Sequence, residues 1–253
     1  MIWPSEAIWE AVSPLLPGFT VEVLPEIDST NTELMRRARA GRLEPVLLVA
    51  EQQTAGRGRL GRGWASQAGD SLTFSLGMPL APKDWSGLSL AVGVSLAESL
   101  DPRVRLKWPN DLWLDDRKLA GILIETATFA DSRDAKRYAV VGVGINIAPR
   151  DAAGLSTPPA WLHELLPGVT AGEVLGRVAT PLVQAVQAFE TFGFNPFQAR
   201  FNARDALRDR AVALSDGTAG TAHGTTERGA LLVHTAAGMK TVTSSEVSVR
   251  PAA

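Results

Sequence analysis

The sequence contains no cysteine, only three histidines and a single tyrosine. Without cysteine there is no disulfide, no thiolate metal site and no thiol nucleophile. His163, His223 and His234 are far apart in the chain and lack ligand spacing, and no Ser/His/Asp arrangement is evident. Charge of either sign is not in excess either. The 25 basic residues nearly balance the 27 acidic ones, for a formal charge of -2, which argues against bulk attraction to nucleic acid or an anionic membrane. Apolar runs stay well short of the roughly 18 residues needed to span a bilayer. The opening "MIWPSEAIWEAV" carries Glu6 and Glu10 where a secretory signal needs positive charge, so a cytoplasmic protein is expected. What is present is ordinary globular composition: 253 residues, 45% hydrophobic and 21% charged, enough for one sizeable core and a small second unit.

Hydrophobic periodicity and turn residues divide the chain. "DSTNTELMRRARAG" places Glu33 three residues after Thr30, a capping-box spacing, and predicts a short helix that stops at Gly41. "PVLLVAEQQ" and "SLTFSLGMPL" read as strands on either side of a Gly/Arg segment, and "SGLSLAVGVSLAESL" reads as a buried helix. "VRLKW", "DLWL" and "KLAGILIE" predict a meander broken at Pro109-Asn110 and Asp115-Asp116, and "YAVVGVGINIA" a further buried strand. After the loop "DAAGLSTPPA", a second capping box at Thr170 and Glu173 opens a helix to Phe192, with a kink expected at Pro181. From about Arg210 onward, short β-branched runs between glycine turns predict a small all-β unit. The boundary is set near Asp205, giving a larger unit over 1–205 and a smaller one over 206–253.

Four stretches carry chemistry. In "TAGRGRLGRGW", Gly56, Gly58 and Gly61 have dinucleotide-loop spacing. A phosphate-binding turn of that kind needs a helix at its third glycine and an acid some 20 residues on. "RGWASQAGDSLTF" is a poor helix, and Asp84 sits in a loop, so that fold is rejected. What remains is a flexible loop in which Arg57, Arg59 and Arg62 recur with no acid between Gln52 and Gly69, suited to gripping carboxylate or phosphate oxygens. On this reading the three arginines repel one another until an anion arrives. "KWPNDLW" puts Lys107 at a strand end before Asn110 and Asp111, where a lysine is costly unless it meets an anion. "KLAGILIE" and "GVGINI" place Gly121, Gly142 and Gly144 inside strands, the device for a close approach of ligand or chain, and the second adds a buried Asn146 that needs partners.

In this order the four stretches resemble the catalytic domain of biotin protein ligases, closely over residues 26–150 and more loosely beyond. The resemblance implies an α+β fold: a mixed, largely antiparallel sheet like that of class II synthetases, with flanking helices and a small C-terminal SH3-like β-barrel. It implies ATP- and Mg2+-dependent formation of biotinyl-5′-AMP, then transfer of biotin to a lysine of the biotin carboxyl carrier domain of a carboxylase. Ser29, Thr30, Asn31, Gln53, Arg57, Gly58, Arg59, Trp64, Lys107 and Gly121 are the implied biotin contacts. Arg57, Arg59, Arg62, Asn110, Asp111, Gly142, Gly144 and Asn146 are assigned to ATP or the adenylate, Lys107 and Arg59 to catalysis, and Asp111 to magnesium. Family members that also repress transcription carry a winged helix-turn-helix ahead of the "STN" segment, for which the residues before Ser29 are too few; no DNA partner and no membrane are expected, and a homodimer is left open. Two rivals stand beside this reading. One is a lipoate or octanoate ligase, whose "RRxSGGG" segment is absent; the other is a non-catalytic nucleic-acid module using the Arg/Gly loop, which the charge balance disfavours.

Overall fold

The computed structural model describes residues 2–128, 136–149, 158–243 and 249–251. Its elements in chain order are α1 (Ser5–Val12), β1 (Thr20–Ile27), α2 (Thr30–Arg39), β2 (Val46–Gln53), the short hairpin strands β3 (Gly56–Arg57) and β4 (Gly63–Trp64), β5 (Ser71–Leu80) and α3 (Leu88–Leu100). They continue with β6 (Arg105–Lys107), β7 (Asp111–Leu114), β8 (Arg117–Thr128), β9 (Arg137–Asn146), α4 (Ala171–Phe192), α5 (Asn195–Arg204), and then β10 (Ala211–Leu214), β11 (Ala219–Thr225), β12 (Leu231–Thr235), β13 (Gly238–Val242) and β14 (Val249–Pro251). Among the described residues no helix is long and apolar enough to cross a membrane.

Seven strands form one mixed sheet in the order β1-β2-β5-β9-β8-β7-β6, parallel only between β1 and β2. The alternation of side chains along a strand decides what each face does. On β9, Ala139, Val141, Val143 and Ile145 join the main core with residues of α1, α3, α4 and α5. The intervening Tyr138 and Val140 pack with Leu34, Met35 and Ala38 of α2 in a smaller core on the opposite face. Both faces are therefore covered, which explains why β9 reads as a nearly unbroken apolar run. Continuing with the same period on the α2 face brings Gly142, Gly144 and Asn146, and α2 does not reach that far. Its N-terminus ends over Gly142, leaving the end of the sheet open for a site.

Several local expectations hold. Asp115 and Asp116 both adopt positive φ in the β7–β8 turn, and the capping box at Thr170 and Glu173 is formed, opening a helix that runs as one 22-residue element through Pro181. The first capping box does not form. Ser29, not Thr30, caps α2 by accepting from Thr32 N, and Glu33 instead pairs with Arg36 and Arg37. The extended backbone at Ser29 places its Oγ, rather than that of Thr30, opposite the orphan amides. Part of the "DAAGLSTPPA" loop lies outside the described residues, and its Pro159 bridges to Lys118. The elements α1, β1 and α5 were not anticipated.

The C-terminal strands also correct an expectation. They form an antiparallel sheet in the order β13-β12-β11-β10-β14 and not a closed barrel. Closure requires the two edge strands to pair; among the described residues β13 pairs with β12 and β14 with three residues of β10. The histidines, far apart in sequence, are partly brought together here: the β11–β12 pairing sets the rings of His223 and His234 6.0 Å apart, with His223 Nδ1 3.4 Å from Asp209. No group of three potential metal ligands occurs among the described residues.

Asp205 lies between α5 and β10. Its backbone bridges Leu106 on β6, and its carboxyl is buried, accepting from Leu207 N at 2.9 Å while Oδ2 has no hydrogen-bond partner. Burial pushes this acid up to about 6, against the pull of the Leu207 amide, Arg105 and Arg208, with Asp209 adding to the rise. The folded protein thus holds this proton more tightly than the unfolded chain, so the contribution to stability is complete below about pH 4 and is lost as pH rises toward and through 6. Asp205→Asn keeps the acceptor and removes the charge. The variant is expected to gain about 3 kcal/mol at pH 7.5, on a scale of 1.36 kcal/mol per pKa unit, and to match the parent at pH 4. Urea unfolding at both pH values tests this, and equal stability at pH 7.5 would refute it.

Candidate functional site

A cavity of about 560 Å3 opens at the uncovered end of the sheet. Its floor follows from strand register. Gly144 of β9 lies between Thr73 of β5 and Gly121 of β8, and Gly142 lies between Ser75 and Leu123. The strand glycines are explained by what packs on them. A Cβ at Gly142 would stand 2.1 Å from Asn31 Oδ1, and one at Gly144 would stand 2.4 Å from the Trp64 indole. The close approach expected at these glycines is therefore made by the protein's own side chains from α2 and from β4.

The N-terminal turn of α2 forms one wall. Thr30 N donates to Gln53 Oε1 at 2.8 Å, and the Ser75 hydroxyl lies 2.7 Å from both Thr30 Oγ1 and Asn31 Oδ1. Asn31 Nδ2 reaches Leu123 O at 3.2 Å and Glu125 Oε2 at 2.9 Å. Asn31 thus lines the wall with its amide already engaged at both ends. Asn146 is similar, holding Lys118 O and Ala160 O through Nδ2 at 3.1 and 3.2 Å.

The Gly/Arg segment folds over the cavity as the β3–β4 hairpin with a tight turn at Arg59–Gly61. Two of its three arginines already have distant partners, contrary to expectation. Arg57 Nη2 pairs with Glu125 at 3.0 Å and its Nε donates to Thr32 Oγ1 at 3.1 Å; Arg59 Nη1 approaches Asn110 Oδ1 at 3.5 Å. Burial lowers the pKa of Arg59, Asp111 opposes that, and Arg62 adds to it.

The turn between β6 and β7, with a cis Trp108-Pro109 peptide, carries Lys107, Asn110 and Asp111 into the same cavity. Lys107 lies 5.1 Å from the Trp113 ring centroid. Its pKa is lowered first by burial; Asp111 opposes this, while Lys118, Arg62 and Arg250 reinforce it. This turn rests on the C-terminal sheet, since the buried Trp108 indole donates to Gly229 O at 3.0 Å.

Every site residue singled out from the sequence lines this one cavity. Three lining cations, Lys118, Arg210 and Arg250, were missed, as was Arg137 beside the cavity. Lys118 pairs with Asp111 at 2.8 Å, Arg210 pairs with Asp116, and Lys118 stands 5.9 Å from the Trp64 ring centroid. Arg250 arrives from β14, and Arg137 borders a neighbouring cavity beneath the loop. Lys118 was hidden because a lysine at a strand start after "DD" has the signature of a solvated turn. With Asp116 held by Arg210, the cations Arg59, Arg62, Lys107, Lys118 and Arg250 share the cavity with the carboxylate of Asp111, an excess of positive charge suited to an anion.

Residues 23–146 match the Biotin/lipoate A/B protein ligase family, and residues 211–250 match the Biotin protein ligase C terminal domain. The chain is 38% identical over 248 residues to the Bifunctional ligase/repressor BirA of Salmonella typhimurium, covering 94% of this chain and 76% of that protein. It is 31% identical to the Biotin--[acetyl-CoA-carboxylase] ligase of Paracoccus denitrificans, covering 89% of this chain and 98% of that one. Among solved structures, the biotin protein ligase from Aquifex aeolicus in complex with biotin and ATP superposes with a TM-score of 0.76 at 30% identity, covering 92% of this chain and 99% of that one.

Proposed function

The chain belongs to the biotin protein ligase family, and from that premise we infer that it attaches biotin to a lysine of a biotin carboxyl carrier domain at the expense of ATP. The observation that carries this reading is the cationic cavity, floored by Gly142 and Gly144, whose loop arginines lie over its mouth. In the first half-reaction a biotin carboxylate oxygen bonds to the α-phosphorus of ATP and the bond to the β-phosphate oxygen breaks, releasing pyrophosphate. In the second, the acceptor amine bonds to the acyl carbon, AMP leaves with the electron pair of the broken anhydride bond, and the amine loses a proton.

Neither half-reaction requires an enzyme nucleophile, which accords with a chain that has no cysteine. The chain's residues hold two anions together and neutralise the charge that grows on the phosphate. We assign Ser29, Thr30 and Gln53 to the neutral ureido ring, with Asn31 fixing the wall beside them and Gly121 and Trp64 bounding the apolar chain. Arg57, Gly58 and Arg59 cover the carboxyl end. Lys107, Lys118 and Arg59 converge on the anhydride, Arg62 and Asn110 on the nucleotide, and Gly142, Gly144 and Asn146 shape the floor beneath it. Magnesium enters on the phosphates of ATP: Asp111 is one carboxylate already held by Lys118, so it can touch a phosphate-borne ion but does not build a resident site. The unit over 206–253 supports the Lys107 turn through Gly229 and adds Arg250 to the cavity.

Pyrophosphate release tests the assignment. With ATP and magnesium, release is expected on adding biotin and not on adding lipoate; the reverse preference would overturn it. Gly144→Ala tests the floor. The added methyl collides with the Trp64 ring and must displace it, so the Michaelis constant for biotin is expected to rise by about tenfold, some 1.4 kcal/mol, with the fold retained. An unchanged constant would remove Trp64 from the biotin site.

A further inference from the structure

We propose that Glu125 is a positioning residue: from β8 its carboxylate ties Arg57 of the Gly/Arg hairpin to Asn31 of α2, joining the cover of the cavity to its wall. The kinetic part of this proposal rests on the function inferred above; the structural part does not.

Glu125 lies on the α2 face of β8, two residues beyond Leu123 and opposite Val140. Its Oε2 accepts from Asn31 Nδ2 at 2.9 Å and from Arg57 Nη2 at 3.0 Å, and its Oε1 also accepts from Arg57 Nη2, at 3.1 Å. Behind Asn31 the chain of contacts continues through Ser75 and Thr30 to Gln53. Asn31 Oδ1 can only accept, so the Ser75 proton goes to it, and the Thr30 hydroxyl is left to donate to Ser75 or to Gln53. A side chain that Arg57 holds at the cavity mouth is thus connected, bond by bond, to the groups that form its inner wall. Thr32, one residue past Asn31, gives Arg57 a second anchor on the same helix.

The residue type is decided by the donors it faces. Arg57 and Asn31 both present N–H groups, and a carboxylate accepts from both at once. A glutamine has one acceptor oxygen, and its own NH2 would confront one of the two donors. Asn31 is buried and Arg57 is half exposed, so the glutamine oxygen stays with Asn31 and Arg57 is released. The expected result of Glu125→Gln is therefore a loosened hairpin over an intact wall.

Trypsin reads this directly, because it cleaves after Arg57, Arg59 and Arg62. Without ligand, Glu125→Gln is expected to be cut in this segment about tenfold faster than the parent, the factor equivalent to one charge-assisted hydrogen bond. Its thermal unfolding by circular dichroism should be unchanged. Thr32→Val, which removes only the second anchor, should be cut about twofold faster, and it carries the test if Glu125→Gln does not fold. In steady state, Glu125→Gln should raise the Michaelis constant for biotin by about tenfold while kcat at saturating biotin stays within about twofold, because a saturating ligand re-establishes the closed hairpin. Equal cleavage of parent and variant would overturn the proposal, as would a fall in kcat with an unchanged Michaelis constant. Should the parent itself release no pyrophosphate with biotin, the functional reading fails while the cleavage comparison still decides the role of Glu125.

Discussion

Lys107→Ala is expected to slow biotin-dependent pyrophosphate release by about two orders of magnitude while the protein remains folded. Lys107 sits at the end of β6, half-buried, with its ammonium beside Trp113 and among Asp111, Lys118, Arg62 and Arg250. Its stem does not belong to the main core, whose β6 member is Leu106, so removing it leaves the packing in place. Burial and three neighbouring cations make its positive charge costly in the ligand-free protein, and an incoming phosphate or carboxylate relieves that cost. A group held against its own electrostatic preference needs no reorganisation when charge develops on the reacting phosphate. Loss of one such donor costs roughly 3 kcal/mol of transition-state stabilisation, about two orders of magnitude in rate. Because Lys118 approaches the same anion, a residual rate is expected, and Lys107→Ala with Lys118→Ala together should leave none. Pyrophosphate release with a melting curve on the same sample checks both halves: near-normal release from a folded Lys107→Ala protein would exclude Lys107 from the reaction.

Arg59→Gly is expected to change where biotin goes more than whether it is activated. Arg59 lies in the hairpin beside Asn110, with Asp111 offsetting part of its burial, and on the proposed function it covers the position where carboxyl and phosphate meet. A retained adenylate meets only the lysine of a docked acceptor. A released one acylates any exposed amine, so retention sets specificity. Removing the guanidinium loses a charge-assisted hydrogen bond worth roughly 1.5 to 3 kcal/mol, which weakens the hold on the intermediate by about tenfold or more. Lys107 and Lys118 remain to support adenylation, and glycine fits the segment's open backbone. Incubation of parent and variant with albumin, biotin and MgATP, followed by a streptavidin blot, is expected to show labelled albumin with the variant alone. An active variant that leaves albumin unlabelled would show that Arg59 does not retain the intermediate.

The two lysines differ in how visible they were. Lys107 stands out in the sequence because "KWPND" couples a strand end to a turn whose proline and asparagine constrain the backbone locally. Lys118 has the same standing in the cavity, yet it follows two aspartates and an arginine, and nothing nearby in the chain says that its ammonium turns inward to Asp111. The arginine loop shows the same limit. No acid occurs near it in sequence, which suggested three mutually repelling cations, whereas the β8 strand places Glu125 within 3.0 Å of Arg57 across 68 positions of chain.

By itself the sequence determined the elements whose signals are short-range. The β-hairpin turn at Asp115-Asp116, the capped helix from Thr170, the buried runs of β2, β5 and β9, and the glycines of the site are all local statements about φ, ψ and side-chain period, which neighbouring residues suffice to fix. Tertiary structure alone decided which side chains those features serve. Gly142 and Gly144 signal a close approach, but that Asn31 and Trp64 make it depends on α2 and the hairpin crossing the same sheet face. Ser29 rather than Thr30 caps α2, and the parallel pairing of β1 with β2, the open C-terminal sheet and the arrival of Arg250 depend on strand partners distant in the chain. The physical reason is that propensities and turns act over a few residues, whereas register, burial and the pairing of charges are settled only when separate segments compete for the same space and the same donors.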